Sequence, residues 1–457
     1  MTGKEPPKKK VFLATFGCQM NKLDSELLLG TLLEEGWTSC GSPEEADLVV
    51  LNTCSVRRHA EEKVYSRLGL LRKIKEKRPG MRIAVVGCMA QSEKARILER
   101  APGVDVVAGT SQMWRLGELL RAAASRRVLA VEPGDRAAVR RNPSARPTPF
   151  QAYVAVSWGC DNRCSYCVVP SVRGAEVSRP MDDILDEVRG LADDGVKEVT
   201  LLGQNVDSYG KGLGGAATLA SLLEKADRIE GIERLRFVTS HPRDVTPELL
   251  DAVAKLPKVC EYLHLPAQSG SDRILDLMRR GYGSRRYREI LDAARRTVPD
   301  IAISSDFIVG FPTETEEDFE ATRRLLLEGD FANSFIFKFS PRPGTPAAEM
   351  PDDVPRRVKE ERNRMLLDEQ ERTGARRNAS RIGSLVEVLV EGASKRDAEN
   401  LAGRTRDNSI VVFPAEEGIS PGELVEIGIT DATALTLIGR RAPAQREGAP
   451  ARPAAGA

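Results

Sequence analysis

The stretch SWGCDNRCSYCVVPSVRG, residues 157 to 174, places Cys160, Cys164 and Cys167 within eight positions, and no other feature limits the possible folds of this chain so strongly. Structural zinc sites are usually closed by four Cys or His ligands in separated pairs, yet residues 155 to 180 offer no fourth. Three close thiolates suit an iron–sulfur cubane that keeps one iron open to an exogenous molecule. The trio follows the apolar run AYVAVSWG, so the fold must put the end of a strand at the mouth of a cavity that a substrate can reach.

The rest of the chain is compatible with that demand. No stretch approaches the eighteen or so apolar residues of a membrane span, and the start, MTGKEPPKKK, is basic without a secretory apolar run, so a cytoplasmic protein without a membrane partner is expected. In that compartment thiols stay reduced, and the eight cysteines are read as ligands or redox groups rather than disulfides. With 457 residues, 41% of them hydrophobic, two or three domains with their own cores can form. The charge balance, 68 basic against 67 acidic residues, leaves any polyanionic partner to be held by local clusters.

Apolar runs VFLATFG, ADLVVLN, RIAVVG and VDVVAG alternate with amphipathic segments such as KLDSELLLGTLLEEG, which predicts an N-terminal parallel α/β domain over residues 9–126. A polar, Pro- and Arg-rich stretch over 127–145 reads as a linker. Six further strand candidates, AYVAVSWG, EVTLLGQN, LRFVTS, VCEYLHL, IAISSDFIVG and SFIFKFS, predict a central partial barrel of βα units over 146–377. Short β-rich runs over 379–441 predict a small antiparallel β-barrel, and the Ala/Pro/Gly-rich tail 442–457 is expected to be disordered.

The N-terminal strands carry a second pattern: Cys18 ends VFLATFGC, Cys54 ends ADLVVLNTC and Cys88 ends RIAVVGC. Parallel strands bring such ends to one edge, so these residues predict a second three-thiolate site. Cys40 and Cys260 share no motif and read as small buried hydrophobes. His59, His241 and His264 fit no ligand spacing, which leaves them surface or supporting roles.

The spacing CxxxCxxC, with Tyr166 as its aromatic residue, resembles the signature of the radical S-adenosylmethionine enzymes. That resemblance implies S-adenosylmethionine bound at the open iron and cleaved reductively to a hydrogen-abstracting 5′-deoxyadenosyl radical. Candidate cofactor contacts then lie at Tyr166 and where later strands end: Gly203, Gln204, Asn205, Ser240, Gln268, Ser269 and Gly310. Each of those strand-end residues is equally a common turn residue. With both trios, residues 10 to 441 resemble the methylthiotransferases, in which a three-Cys domain, a radical core and a TRAM domain follow in this order.

TFGCQMNKLDSE (15 to 26), CVVPSVRGAEVSRP (167 to 180), HLPAQSGSD (264 to 272), FSPRPGTPA (339 to 347) and GRTRDN (403 to 408) resemble the tRNA-modifying branch of that family. Trp158 and Ser171 depart from its usual residues beside the ligands without replacing one. The resemblance implies two 4Fe-4S clusters, one on Cys160, Cys164 and Cys167 for the radical and one on Cys18, Cys54 and Cys88 for sulfur. It further implies conversion of C2–H to C2–SCH3 on a prenylated adenosine beside the tRNA anticodon. A reductant such as flavodoxin or ferredoxin and a sulfur donor would be partners of a monomeric enzyme.

Residues 381 to 441 carry seven basic and ten acidic side chains, so RNA binding there requires clustering. Lys395, Arg396, Arg404 and Arg406 are the candidates, with Arg404 and Arg406 expected on one face of a strand, and Arg140, Arg141 and Arg146 add cations in the linker. Two alternatives stay open. A sister enzyme that modifies an aspartate of a ribosomal protein shares both trios but prefers GCPKN where this chain has GCQMN; a noncatalytic iron–sulfur RNA scaffold would need no S-adenosylmethionine pocket.

Overall fold

The structure, a computed structural model, describes residues 9–55, 58–134, 141–214 and 217–442. The first unit is a six-stranded sheet: β1 (Lys10–Thr15), β2 (Thr38–Ser39), β3 (Leu48–Thr53), β4 (Arg82–Gly87), β5 (Val106–Ala108) and β6 (Val128–Ala130). All are parallel, in the order β2-β1-β3-β4-β5-β6. Alternation along the strands explains why their sequences are continuously apolar. Leu48, Val50, Ala84 and Val86 pack against Leu28 and Leu32 of the helix Gln19–Glu34, while Val49, Leu51, Ile83 and Val85 pack under Val64, Leu68 and Leu71 of the helix Arg58–Lys77. β6 falls inside the expected linker. The run Val128-Leu129-Ala130 is short and set among charged residues, but it pairs in register with β5, so the sheet extends beyond residue 126.

The central unit holds β7 (Gln151–Ala155), a short antiparallel pair β8 (Ser157–Trp158) and β9 (Val177–Ser178), then β10 (Glu198–Leu202), β11 (Arg234–Val238), β12 (Tyr262–His264), β13 (Ala302–Val309) and β14 (Asn333–Lys338). Apart from that pair, the strands run parallel as β7-β10-β11 and β12-β13-β14, joined by a bridge between Leu235 and Val259. Val154, Val199, Leu201, Leu235, Phe237, Leu263, Phe307 and Ile336 point outward into the core beneath the helices. Their neighbours Tyr153, Thr200, Arg236, His264, Asp306 and Phe335 therefore face the concave side. All six strands expected from the sequence are present.

The helix Arg356–Ala379 leads to a closed barrel of β15 (Leu385–Ala393), β16 (Asn400–Thr405), β17 (Ile410–Pro414), β18 (Leu424–Ala432) and β19 (Thr436–Arg441). Val388, Val390, Val411, Phe413, Ile427, Ile429 and Leu437 fill it. It docks on the starts of the central strands. Buried Arg234 donates to Arg404 O (2.8 Å), and buried Arg236 to Thr405 O (2.7 Å) and Arg406 O (2.6 Å). The thiol loop lies at the opposite ends of those strands. Apart from residue 442, the tail lies outside the described residues.

Candidate functional site

Cys160, Cys164 and Cys167 occupy the loop after β8. Gly159 permits the turn into it, with φ +73° and a position where a Cβ would lie 1.9 Å from Ala175 O. Ser165 ties the loop down, its amide donating to Met278 O (3.0 Å) and its hydroxyl to Leu277 O (2.7 Å). Behind it, buried Arg280 donates from Nη1 to Cys164 Sγ at 3.2 Å. All three cysteines are free thiols. Burial and the neighbouring thiols push Cys160 upward and Cys167 up to about 12.

The second trio forms at the edge of the first sheet. Thr15 pairs with Asn52 and Thr53 with Gly87, so the strands end level, with Cys54 and Cys88 the next residues and Cys18 three beyond. Strand order reverses between β1 and β3, the place where open parallel sheets bind ligands, and Cys18 and Cys54 flank it. An amide clamp fixes this edge. Asn21 Nδ2 donates to Asn52 Oδ1 (3.1 Å) and Thr53 O (3.0 Å), and Asn52 Nδ2 donates to Asn21 O and Ser25 Oγ (both 2.9 Å). Gly87, at φ +92°, leaves room for it, since a Cβ there would meet Asn52 Oδ1 at 2.4 Å. Burial pushes the Cys88 thiol up to about 12; Arg173 opposes the rise, whereas Cys54 and Cys18 add to it.

The two sites are neighbours. Cys88 packs in one apolar cluster with Val168 and Val172, and Val168 directly follows Cys167. Thr110 Oγ1 donates to Val172 O (2.6 Å), and Arg173 Nη2 to Asp24 Oδ2 (2.7 Å). Beside them Met20 and Leu23 of the first domain pack on Ala155 and Leu202 of the central sheet.

Among the described residues no three Cys, His, Asp or Glu side chains are gathered tightly enough to hold a single metal ion, and the fit of a cluster therefore rests on donor chemistry. Each trio offers three free thiols and one buried arginine, a set suited to an anionic thiolate-ligated cluster and poorly suited to bare thiolates.

Of the expected cofactor contacts, some gather at the mouth. Gly203 lies against Ser157, where a Cβ would be 2.8 Å from its Oγ. Ser157 Oγ, Gln204 Oε1 and Asn205 Oδ1 are buried without hydrogen-bond partners among the described residues, so a polar ligand has acceptors and a hydroxyl to meet there. Ser240 Oγ donates to Asp207 Oδ1 (2.9 Å), a carboxyl pushed up to about 7 by burial. Tyr166 packs among Ile274, Met278, Phe311 and Phe339. Gln268, at φ +67°, continues the sheet, its amide donating to Asp306 O (2.8 Å). Two of the expected contacts already use a polar group within the fold. The Ser269 hydroxyl is occupied by Thr322 Oγ1 (3.1 Å) and by the amide of Ser271 (3.2 Å), and Gly310 N is held by Glu314 Oε1 (2.8 Å). Both brace the turns behind the mouth.

Three family models match the chain: an uncharacterized protein family, UPF0004, over residues 10–109, the Radical SAM superfamily over 154–326, and the TRAM domain over 379–441. A tRNA-2-methylthio-N(6)-dimethylallyladenosine synthase of Acidovorax sp. (strain JS42) is 48% identical over 94% of this chain and 97% of its own length. One of Moorella thermoacetica is 44% identical over 94% of this chain and 98% of its own. The chain belongs to the tRNA-2-methylthio-N(6)-dimethylallyladenosine synthase family. Among solved structures, the radical S-adenosylmethionine methyltransferase TsrM of Kitasatospora setae shares the fold at a TM-score of 0.56 and 15% identity, covering 74% of this chain and 75% of that one.

In this member of the family the expected RNA contacts divide. Lys395 and Arg396 are exposed on the turn between β15 and β16. Arg406 is taken up internally: its fork grips the Glu261 carboxylate (2.7 to 3.2 Å) and Val259 O (2.7 Å). Arg404 pairs with Glu391 (3.1 Å). The linker cations behave likewise. Arg141 binds Glu26 and Glu187, and Arg146, nearly buried, binds Asp194 (3.1 Å); Arg140 lies outside the described residues. Sequence identifies an arginine as cationic but not the carboxylate that the fold brings to it. Two buried arginines beside the trios had no such signal. Arg173 and Arg280 belong to runs, SVRG and RRGYG, whose burial only the fold reveals.

Of the histidines, buried His241 is pushed down to about 2, chiefly by burial, and stacks edgewise on Tyr282. His264 pairs with Asp306 (3.1 Å) on the concave wall. The side chain of His59 lies outside the described residues. Cys260 is buried beside Arg236, as expected of an isolated thiol, whereas Cys40 is only partly buried against the first domain's core.

Proposed function

We propose that this chain converts C2–H of N6-(dimethylallyl)adenosine beside the tRNA anticodon into C2–SCH3, with one 4Fe-4S cluster on each cysteine trio. The observation that carries this reading is the apposition of the trios, with Cys88 packed on Val168 and Val172 just after Cys167 and with Arg173 bonded across to Asp24. When bound, the clusters and two S-adenosylmethionine molecules supply a methylated sulfur and the 5′-deoxyadenosyl radical that removes the C2 hydrogen.

The chain's own residues do the rest. Cys160, Cys164 and Cys167 bind at the mouth, with Arg280 giving a positive charge to Cys164. Ser157, Gln204 and Asn205 orient the polar parts of S-adenosylmethionine with their unpartnered atoms. Cys18, Cys54 and Cys88 hold the sulfur-bearing site, and Val168 with Val172 excludes water between the two. Lys395 and Arg396 contact tRNA phosphates. An electron donor such as flavodoxin or ferredoxin and a sulfur donor complete a cytoplasmic, monomeric enzyme of N-terminal, linker, radical and TRAM segments; among the described residues no helix is long and apolar enough to cross a membrane.

Mass spectrometry of bulk tRNA from a strain lacking the gene tests the reading. The 2-methylthio form should vanish and its prenylated precursor accumulate. Unchanged tRNA, with a mass loss on a ribosomal protein instead, would refute it.

A further inference from the structure

Arg173 lies six residues beyond Cys167, at the end of the short helix Val169–Arg173, and so belongs by sequence to the radical core. Its guanidinium leaves that core. It crosses to the first domain and donates to Asp24 Oδ2 at 2.7 Å, with both side chains withdrawn from solvent, at 6% and 0% exposure. Asp24 stands on the helix that Cys18 caps, so the pair is seated beside the N-terminal thiols. Against the cost of burial, Asp24 and then Cys88 and Cys18 favour the charged form of the Arg173 guanidinium. Two contacts fix this approach: Thr110 Oγ1 to Val172 O (2.6 Å), and Cys88 against Val168 and Val172.

We infer that Arg173 is a positioning residue of the N-terminal cluster, contributed in trans by the radical core, and that with Asp24 it sets the charge that the cluster experiences. The inference rests on the two-cluster reading above. The consequence is a sulfur site whose electrostatics are complete only when the two domains are docked. A buried positive charge beside an anionic cluster favours its reduced form, and a buried carboxylate disfavours it.

These opposite signs supply a test that mere damage to the fold would not reproduce. The protein is reconstituted anaerobically with Cys160, Cys164 and Cys167 changed to Ala, leaving the N-terminal cluster as the sole signal, and is titrated redox-potentiometrically with detection by electron paramagnetic resonance. Arg173→Met should move the midpoint to more negative potential and Asp24→Asn to more positive. Arg173→Lys, which retains the charge but loses the planar fork, should lie between Arg173→Met and the parent. Midpoints that coincide, or that move in the same direction in Arg173→Met and Asp24→Asn, overturn the inference while leaving the two-cluster reading intact. Absence of any cluster in the parent background overturns both. If Arg173→Met does not fold, the order of Arg173→Lys, parent and Asp24→Asn still decides it.

Discussion

The core trio lies within one loop, from Cys160 to Cys167, whereas the N-terminal trio is collected from the ends of three strands between Cys18 and Cys88. The loop trio depends on one turn at Gly159 and one tether at Ser165. The strand trio depends on the register of β1, β3 and β4 and on the Asn21–Asn52 clamp that locks their ends. A local motif thus carries its own geometry, while a dispersed one inherits geometry from the sheet.

Separating the trios gives the largest expected effect. Cys164→Ala should abolish both S-adenosylmethionine cleavage and methylthio product. Cys54→Ala should abolish the product and retain formation of 5′-deoxyadenosine. Iron should fall from about eight per chain to about four in either trio's triple Ala variant. Product at the wild-type rate in Cys54→Ala would make the strand trio structural and end the comparison.

The same contrast explains what sequence could reveal. Both trios were legible, one from CxxxCxxC and the other because three apolar runs each end in a cysteine. Three layers of architecture were legible too, since two-sided burial demands the continuous apolar runs of β3 and β4 and closed barrels demand short alternating ones. Pairings between distant stretches of the chain were not. Arg406 with Glu261, Arg173 with Asp24 and Arg280 with Cys164 join residues more than a hundred positions apart, and no local periodicity encodes them. β6 escaped for a related reason: three apolar residues acquire meaning only from the strand beside them.

Damage to the clamp sharpens the comparison with a smaller effect. Asn52→Ala removes an amide that is fully buried and bonded to Asn21 and Ser25, leaving their polar groups without those partners. Each buried group left unsatisfied costs about 1–3 kcal/mol. The variant should lose that much stability in chemical denaturation and should hold fewer N-terminal irons while the core cluster's iron stays. Equal loss from both clusters would show that the sheet edge supports the whole molecule rather than its own trio.

Asp207 tests the core mouth alone. Burial raises its carboxyl from 3.8 to about 7, so the folded state holds this proton over a range in which the unfolded chain has released it. That contribution to stability is full below the unfolded value and is lost as pH rises toward 7, by about 1.4 kcal/mol for each pH unit crossed between the two values. Ser240 Oγ and His241 N both donate to this carboxyl, and an amide can keep accepting from His241 N while its N–H, with the Ser240 hydroxyl turned, donates to the Ser240 oxygen. Asp207→Asn should therefore match the parent near pH 4 and exceed its stability above pH 7. Parallel stability curves across this range would show that the carboxyl is ionised in the folded mouth.

The smallest effect is expected far from both trios, on the barrel. Its cations are of two kinds. Arg406 is locked onto Glu261 and Arg404 onto Glu391, whereas Lys395 and Arg396 stand exposed without an ion-pair partner among the described residues. A cation that pairs with a phosphate releases counterions on binding, so removing each such cation should flatten the logarithmic salt dependence of tRNA affinity by roughly 0.7 to 0.9. Changing Lys395 and Arg396 to Ala should flatten it accordingly and leave iron content alone. Arg406→Ala should instead loosen the barrel from the core with no change of slope, because its charge is already matched. A flattened slope in Arg406→Ala and none in the Lys395 and Arg396 variant would mean that the barrel swings away from Glu261 to meet RNA, and that its docked position belongs to the free enzyme only.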